Sequence, residues 1–360
     1  MDSLSQAVLG GMVGVLVTRG NQPRKAIITG ALLATLPDLD VLQPFSNDLD
    51  ATIGHRTWSH SWLVHFGISP VIAAALYRFD RSWNWFTWFT LVLLVLTTHA
   101  ALDALTIYGT GLFWPLQSQP IMGGSIFIID PLYTLPLLIA AVMLLRRPLH
   151  PRPRMVAGVS VVLSSFYLGW GVMAQGYVER LAVESLQSQG ESWSKMVATP
   201  TPFNTLLWRV LVLQEDHFFE GFYAFTDSSR DIELHRYPRN LNLIGHLEDQ
   251  TNIKRFDHFN HGYYSMNRMN DQIIANDLRM GAEPYYFFRF VFADNTGTIG
   301  NTNDLGVRPP DMLVPRFANI PINGWHLFSW IGKRLVTNEL HPMGQYSGLD
   351  AVAAPKAGGI

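Results

Sequence analysis

Apolar residues run through the first half of the chain in separated stretches, roughly Leu4–Thr18, Ala26–Leu36, Trp62–Tyr77, Trp85–Leu102, Ile126–Leu145 and Met155–Gln175. They carry almost no charged face, which argues against surface helices of a water-soluble core. The last three approach the ~20 residues that a helix needs to cross a hydrocarbon core. The first two are shorter, and Gly10, Gly11, Gly14 and Gly30 allow them to pack closely as a hairpin that only partly crosses. Beyond Gly176 the pattern changes to alternating polar and apolar positions. Trp208–Leu213, Phe218–Phe225 and Tyr285–Phe292 read as strands, and Tyr177–Gln189 reads as a helix leading out of the last apolar stretch. The expected fold is a mainly α membrane domain of about six transmembrane or re-entrant helices (residues 1–176), then a soluble α+β domain (177–342). A loose tail of Gly, Ala and Pro (343–360) follows.

Charge sharpens this division. Only 15% of the residues are charged and the formal net charge is −2, so no overall field points to nucleic acid. Every glutamate lies at or beyond Glu179, and Lys25 is the one lysine before Gly176. If the apolar stretches alternate in direction, Arg19, Arg24, Lys25, Arg78, Arg81, Arg146, Arg147, Arg152 and Arg154 share one side, and Arg56 lies on the other. The positive-inside rule makes the first side cytoplasmic and the soluble domain extracytoplasmic. Met1-Asp2-Ser3-Leu4 lacks the basic start of a cleavable signal peptide, so the first stretch is expected in the mature protein. With no cysteine in the chain, disulfides, thiolate metal sites and cysteine nucleophiles are excluded.

The chemistry-bearing residues gather on the side opposite the cations. Asp38 and Asp40 sit in Pro37-Asp38-Leu39-Asp40, and His55 and His60 bracket Arg56-Thr57-Trp58-Ser59. His99 and Asp103 are four apart, hence on one helix face. Asp130 opens the fifth stretch, and Asp2 the first. Each motif alone fits a solvated turn or a surface pair. Crowded carboxylates, however, repel one another unless a cation sits among them. A divalent metal meets that need, and imidazole with carboxylate suits zinc first, then manganese or iron. Ionisable groups at membrane depth are costly and point to function. Asp38, Asp40, His55, His60, His99 and Asp103 are the expected ligands. His65, inside an apolar stretch, reads as a packing histidine.

These motifs resemble a known family. Met1-Asp2-Ser3-Leu4-Ser5-Gln6-Ala7-Val8-Leu9-Gly10, Leu36-Pro37-Asp38-Leu39-Asp40, His55-Arg56-Thr57-Trp58-Ser59-His60-Ser61, His99-Ala100-Ala101-Leu102-Asp103 and Ile128-Ile129-Asp130-Pro131 occur in the order found in the YdjM-like metal-dependent hydrolases of the bacterial inner membrane. Thr106, Gly109-Thr110-Gly111 and Trp114-Pro115 continue the pattern. The likeness covers roughly Met1–Leu145. Many members carry Thr-His where this chain has Ser5-Gln6, so any ligand there is missing or replaced by Gln6 or Asp2. The resemblance implies a multi-pass inner-membrane protein with a metal-dependent hydrolase site.

The expected reaction is attack of a metal-activated water on an ester or phosphoester. Asp40 or Asp130 would take the proton, and Arg56 would bind a phosphate or a developing oxyanion. Gly109, Gly111, Gly123 and Gly124 would let the intervening loop fold over the site. A site at the membrane surface favours a small-molecule or lipid-like substrate, with membrane lipid as a partner. Two rivals stand beside this reading: a metal-handling transporter, and a membrane-anchored binding module acting through its C-terminal domain. His258 and His261 there read as ordinary surface histidines.

Overall fold

The computed structural model describes residues 1–244, 251–269, 272–294, 311–318 and 324–337. The expected tail from Met343 to Ile360 lies outside them. The chain divides into two compact units, one of Met1–Gly176 with Pro202–Thr205 and one of Tyr177–Thr201 with Leu206–Ile360.

The first unit is helical. Its elements are α1 (Ser3–Val17), α2 (Pro23–Ala34), α3 (Asp48–Gly54), α4 (Trp62–Phe79), α5 (Trp85–Ala104), α6 (Pro131–Arg146) and α7 (Pro153–Gln189), the last continuing into the second unit. Polar side chains define the helix starts. Asp2, Ser61, Asn84 and Asp130 each accept a backbone N–H from the first turn of α1, α4, α5 and α6. Among the described residues, three helices, α4, α5 and α7, are long and apolar enough to cross a membrane. The fifth stretch is shorter than its apolar run predicts. Asp130 caps the helix and Pro131 opens it, so residues 126–129 stay outside and α6 has only 16 residues.

Helix α1 packs against α2, α5 and α6, and the core is built from residues such as Met12, Leu91, Val92, Leu137 and Leu144. The α1–α2 contact is backbone on backbone. A methyl group at Gly10 would fall on the Gly30 carbonyl, and one at Gly30 on the Gly10 carbonyl. On α4, Leu63, Phe66, Ile68 and Val71 face outward.

The cationic loops meet at one end of this unit. Lys25 pairs with Asp80 and lies 4.6 Å over the Trp83 ring, and Arg24 Nε donates to the Leu145 carbonyl at 2.7 Å. Helix α2 runs from these cations towards Asp38, and α5 runs from Trp85 to Asp103. Helix α4 runs the other way, from beside His60 to Arg78. Asp38, His60, His99 and Asp103 therefore lie at the opposite end of the same helices.

The second unit is α+β with antiparallel sheets. One sheet has the order β1-β2-β3-β4, from β1 (Lys195–Pro200), β2 (Leu207–Leu213), β3 (His217–Ala224) and β4 (Leu234–Pro238). Every residue of β2 is buried, as for a strand covered on both faces. The other sheet has the order β10-β9-β6-β5, from β5 (Tyr264–Met269), β6 (Gln272–Asp277), β9 (Arg289–Asp294) and β10 (Asp311–Phe317). The expected strand Tyr285–Phe292 is split between a short ribbon, β7 (Gly281–Ala282) with β8 (Tyr285–Tyr286), and the start of β9. Helices α8 (Thr251–Asn260) and α9 (Gly324–Arg334) complete the described part.

Candidate metal centre

Three stretches of chain build the centre. After α2, Pro37 opens a 3₁₀ turn, Pro37–Leu42, that carries Asp38 and Asp40. A second 3₁₀ turn, Trp58–His60, places His60 immediately before Ser61, the N-cap of α4. His99 and Asp103 lie one turn apart near the end of α5. One donor atom from each of Asp38, His60, His99 and Asp103 lies within 4.8 Å of the others.

The separations made by the two imidazole nitrogens fit a small divalent ion. His60 Nε2 is 3.1 Å from His99 Nε2. Asp38 Oδ1 is 3.4 Å from His60 Nε2 and 3.5 Å from His99 Nε2. Asp103 Oδ2 is 3.1 Å from His60 Nε2 and 3.4 Å from His99 Nε2. Ligand atoms bound at about 2.0–2.1 Å in a tetrahedron stand ~3.3–3.4 Å from one another. Asp38 Oδ1 is buried and makes no hydrogen bond, which leaves a lone-pair donor directed at the group. Two imidazoles and two carboxylates form a donor set suited to zinc, manganese or iron.

A supporting layer orients these ligands. His60 Nδ1 meets Ser59 Oγ at 2.9 Å, and Ser59 Oγ donates to Asp40 Oδ2. Asp40 also accepts from the Arg56 backbone N–H at 2.9 Å and pairs with His55 Nδ1 at 2.6 Å. On the far side of Asp103, Oδ1 receives Gln6 Nε2 at 3.1 Å, the Met1 ammonium and Arg56 Nη2 at 3.4 Å. Burial alone would raise the Asp38 carboxyl, but the facing His60 and His99 rings hold it below the ordinary carboxylate value. Asp40 is lowered in the same way, its burial outweighed by His55, Ser59 and the Arg56 N–H.

Sequence-predicted residues thus fall into separate places. Asp38, His60, His99 and Asp103 come together. Asp40 and His55 pair with each other beside the group, and Arg56 reaches it through Asp103. Asp130 is elsewhere: its carboxylate accepts from the N–H groups of Leu132 and Tyr133 and from the Tyr167 hydroxyl at 2.8 Å. Burial pushes its carboxyl up. Asp2 caps α1, and His65 Nε2 bonds the Ser59 carbonyl at 2.8 Å. The residues not singled out from sequence are Ser59 and Tyr108, which lies against both His55 and Arg56. Ser59 had a signal, its place beside His60. The loop after α5 is tied down where the glycines allowed close approach, with Gly111 N–H on the Arg56 carbonyl and Gly123 N–H on the Ala104 carbonyl, each at 2.8 Å.

Apolar helices of membrane-spanning length and a buried Asp/His group able to hold a metal ion define a membrane protein with a candidate metal centre. Residues 1–178 match the family model described as YdjM inner membrane protein. No curated protein and no solved structure matches the chain.

Proposed function

We propose that the chain is a metal-dependent hydrolase of the inner membrane, acting on an ester or phosphoester with an apolar portion. The convergence of Asp38, His60, His99 and Asp103 at mutual distances suited to one ion carries this reading. A divalent ion held there, zinc first, would supply Lewis acidity and bring the pKa of a water toward ~7.

The remaining roles fall to groups around the ligands. Asp40 is engaged by His55, Ser59 and the Arg56 N–H, so it positions rather than abstracts. His55, whose side chain is 21% exposed, is held through Nδ1 by Asp40, the pairing that makes an imidazole a proton acceptor. Leu39, Val41 and Leu42 turn outward from the turn that carries Asp38, and Trp58 lies exposed near His60. Such a lip suits a substrate with an apolar tail. The clustered cations at the far end of the helices support a cytoplasmic position for that end, with the centre and the second unit on the outer side.

The test is metal content of detergent-purified protein by mass spectrometry, wild type beside His99→Ala and Asp103→Ala. Near-stoichiometric metal that disappears in both variants is expected. Folded wild type that stays metal-free after soaking would overturn the reading.

A further inference from the structure

Arg56 is built into this centre more elaborately than its ion pair requires. Its backbone has φ 60, the left-handed region disfavoured for a residue with a side chain. Two hydrogen bonds pin it there, from its own N–H to Asp40 Oδ2 at 2.9 Å and from Gly111 N–H to its carbonyl at 2.8 Å. The residue is only 7% exposed, and its guanidinium lies 5.2 Å from the Tyr108 ring centre.

Its polar contacts are nevertheless slack. Arg56 reaches Asp103 Oδ1 and Thr106 Oγ1 at 3.4 Å each, the long edge of a hydrogen bond. Nε is buried and meets no acceptor, although a guanidinium offers five donors in a planar fork. Asp103 Oδ1 also accepts from Gln6 Nε2 at 3.1 Å, so Arg56 is not its sole partner. A pinned, buried cation with donors to spare, beside the ligand Asp103, is a receptor for an anion.

We infer that Arg56 recognises a phosphoryl group, so that the substrate is an anionic phosphoester and not a carboxyl ester; this rests on the hydrolase reading above. A planar fork matches two phosphoryl oxygens, whereas a ground-state carboxyl ester offers no anion to hold. In the reaction the water oxygen forms a bond to phosphorus and the phosphorus–oxygen bond to the alcohol breaks. One water proton passes to His55 and then to the departing oxygen, giving a free alcohol and a phosphate. The same phosphoryl anion occurs in soluble phosphoesters and in lipid headgroups. The outward Leu39, Val41 and Leu42, the last 76% exposed, give a long-chain ester the greater contact.

The experiment uses full-length protein in detergent, with metal content measured on every sample. Inorganic phosphate is titrated calorimetrically into wild type, Arg56→Gly and Arg56→Lys, and alkyl 4-nitrophenyl phosphates of methyl and decyl chain length are assayed beside 4-nitrophenyl acetate. Glycine accepts the left-handed backbone without strain, so Arg56→Gly is expected to fold, and its phosphate titration is made on metal-loaded protein. Phosphate affinity should fall on the order of tenfold or more in Arg56→Gly and less in Arg56→Lys, with phosphoester turnover falling alongside. Preference for the decyl ester assigns the phosphoryl group to a lipid-like molecule, and equal turnover assigns it to a soluble one; both support the inference. Unchanged phosphate affinity in metal-loaded Arg56→Gly, or wild type that cleaves only the acetate, overturns it. Wild type without metal overturns instead the hydrolase reading on which it rests.

Discussion

His60 Nε2 and His99 Nε2 lie 3.1 Å apart with both rings closed off from solvent. Two bare imidazole lone pairs at that distance repel, so the pair shares either a proton or a metal ion. Asp38 and Asp103 add negative charge around the same point. The group is thereby set apart from its neighbours His55 and Asp40, which bond each other at 2.6 Å.

His55→Ala and Asp40→Ala are therefore expected to retain metal where His60→Ala loses it. Removing an orienting partner typically weakens metal affinity about 10–100-fold without abolishing binding. Competition with a graded series of chelators measures this. Complete loss in His55→Ala would make His55 a ligand.

Asp130→Ala is expected to lower the thermal midpoint and leave metal content unchanged. Its carboxylate caps α6 and receives the Tyr167 hydroxyl, and loss of a cap costs about 1 kcal/mol. Differential scanning fluorimetry in detergent, paired with metal analysis, separates the two effects.

Gly30→Ala is expected to destabilise the first unit. The added methyl has no room beside the Gly10 backbone, and overpacking of this kind typically costs about 1–3 kcal/mol. Gly67, whose added methyl would meet nothing within 4 Å, is the control: Gly67→Ala should leave the midpoint unchanged or raise it slightly.

Glu283 gives the second unit a pH dependence. Burial, with Glu220 beside it, pushes its carboxyl up to about 7 from an ordinary 4.5. The Tyr286 hydroxyl donates to Glu283 at 3.1 Å, and the Glu283 N–H donates to Glu220 at the same distance. A raised folded-state value means that the folded state holds the proton more tightly. The stabilisation is thus full below the ordinary value and is lost as pH rises through about 7. Glu283→Gln should flatten the fall in stability between about pH 5 and pH 8, read from denaturant midpoints across that range.

Much of this organisation is legible in the sequence. The spacing of His99 and Asp103 on an uninterrupted apolar helix fixes both on one face, and no longer-range knowledge is needed. The distinction between Asp38 and Asp40 is not legible. Both lie in one 3₁₀ turn, and which of them meets the histidines depends on how residues 55–60 return to that turn. Asp130 shows the same difficulty from the other side. An acid at the mouth of an apolar stretch fits a catalytic base and a helix cap equally well, and only the partners Leu132, Tyr133 and Tyr167 decide. The division at Gly176 is visible as a change of periodicity. The break within Tyr285–Phe292 is hidden, because pairing of Gly281 with Tyr286 is a tertiary choice that the run of aromatics does not disclose.

The donors of the centre come from residues 38, 60, 99 and 103, with all of α4 and nearly all of α5 made between His60 and Asp103. A growing chain that has emerged only as far as α4 holds two of the four donors. The last pair arrives with the end of α5, and the unit must then close before all four meet. Loading of an ion there would thus be a late event in the life of the chain, and an occupied centre would record that the helices before it have been made and assembled.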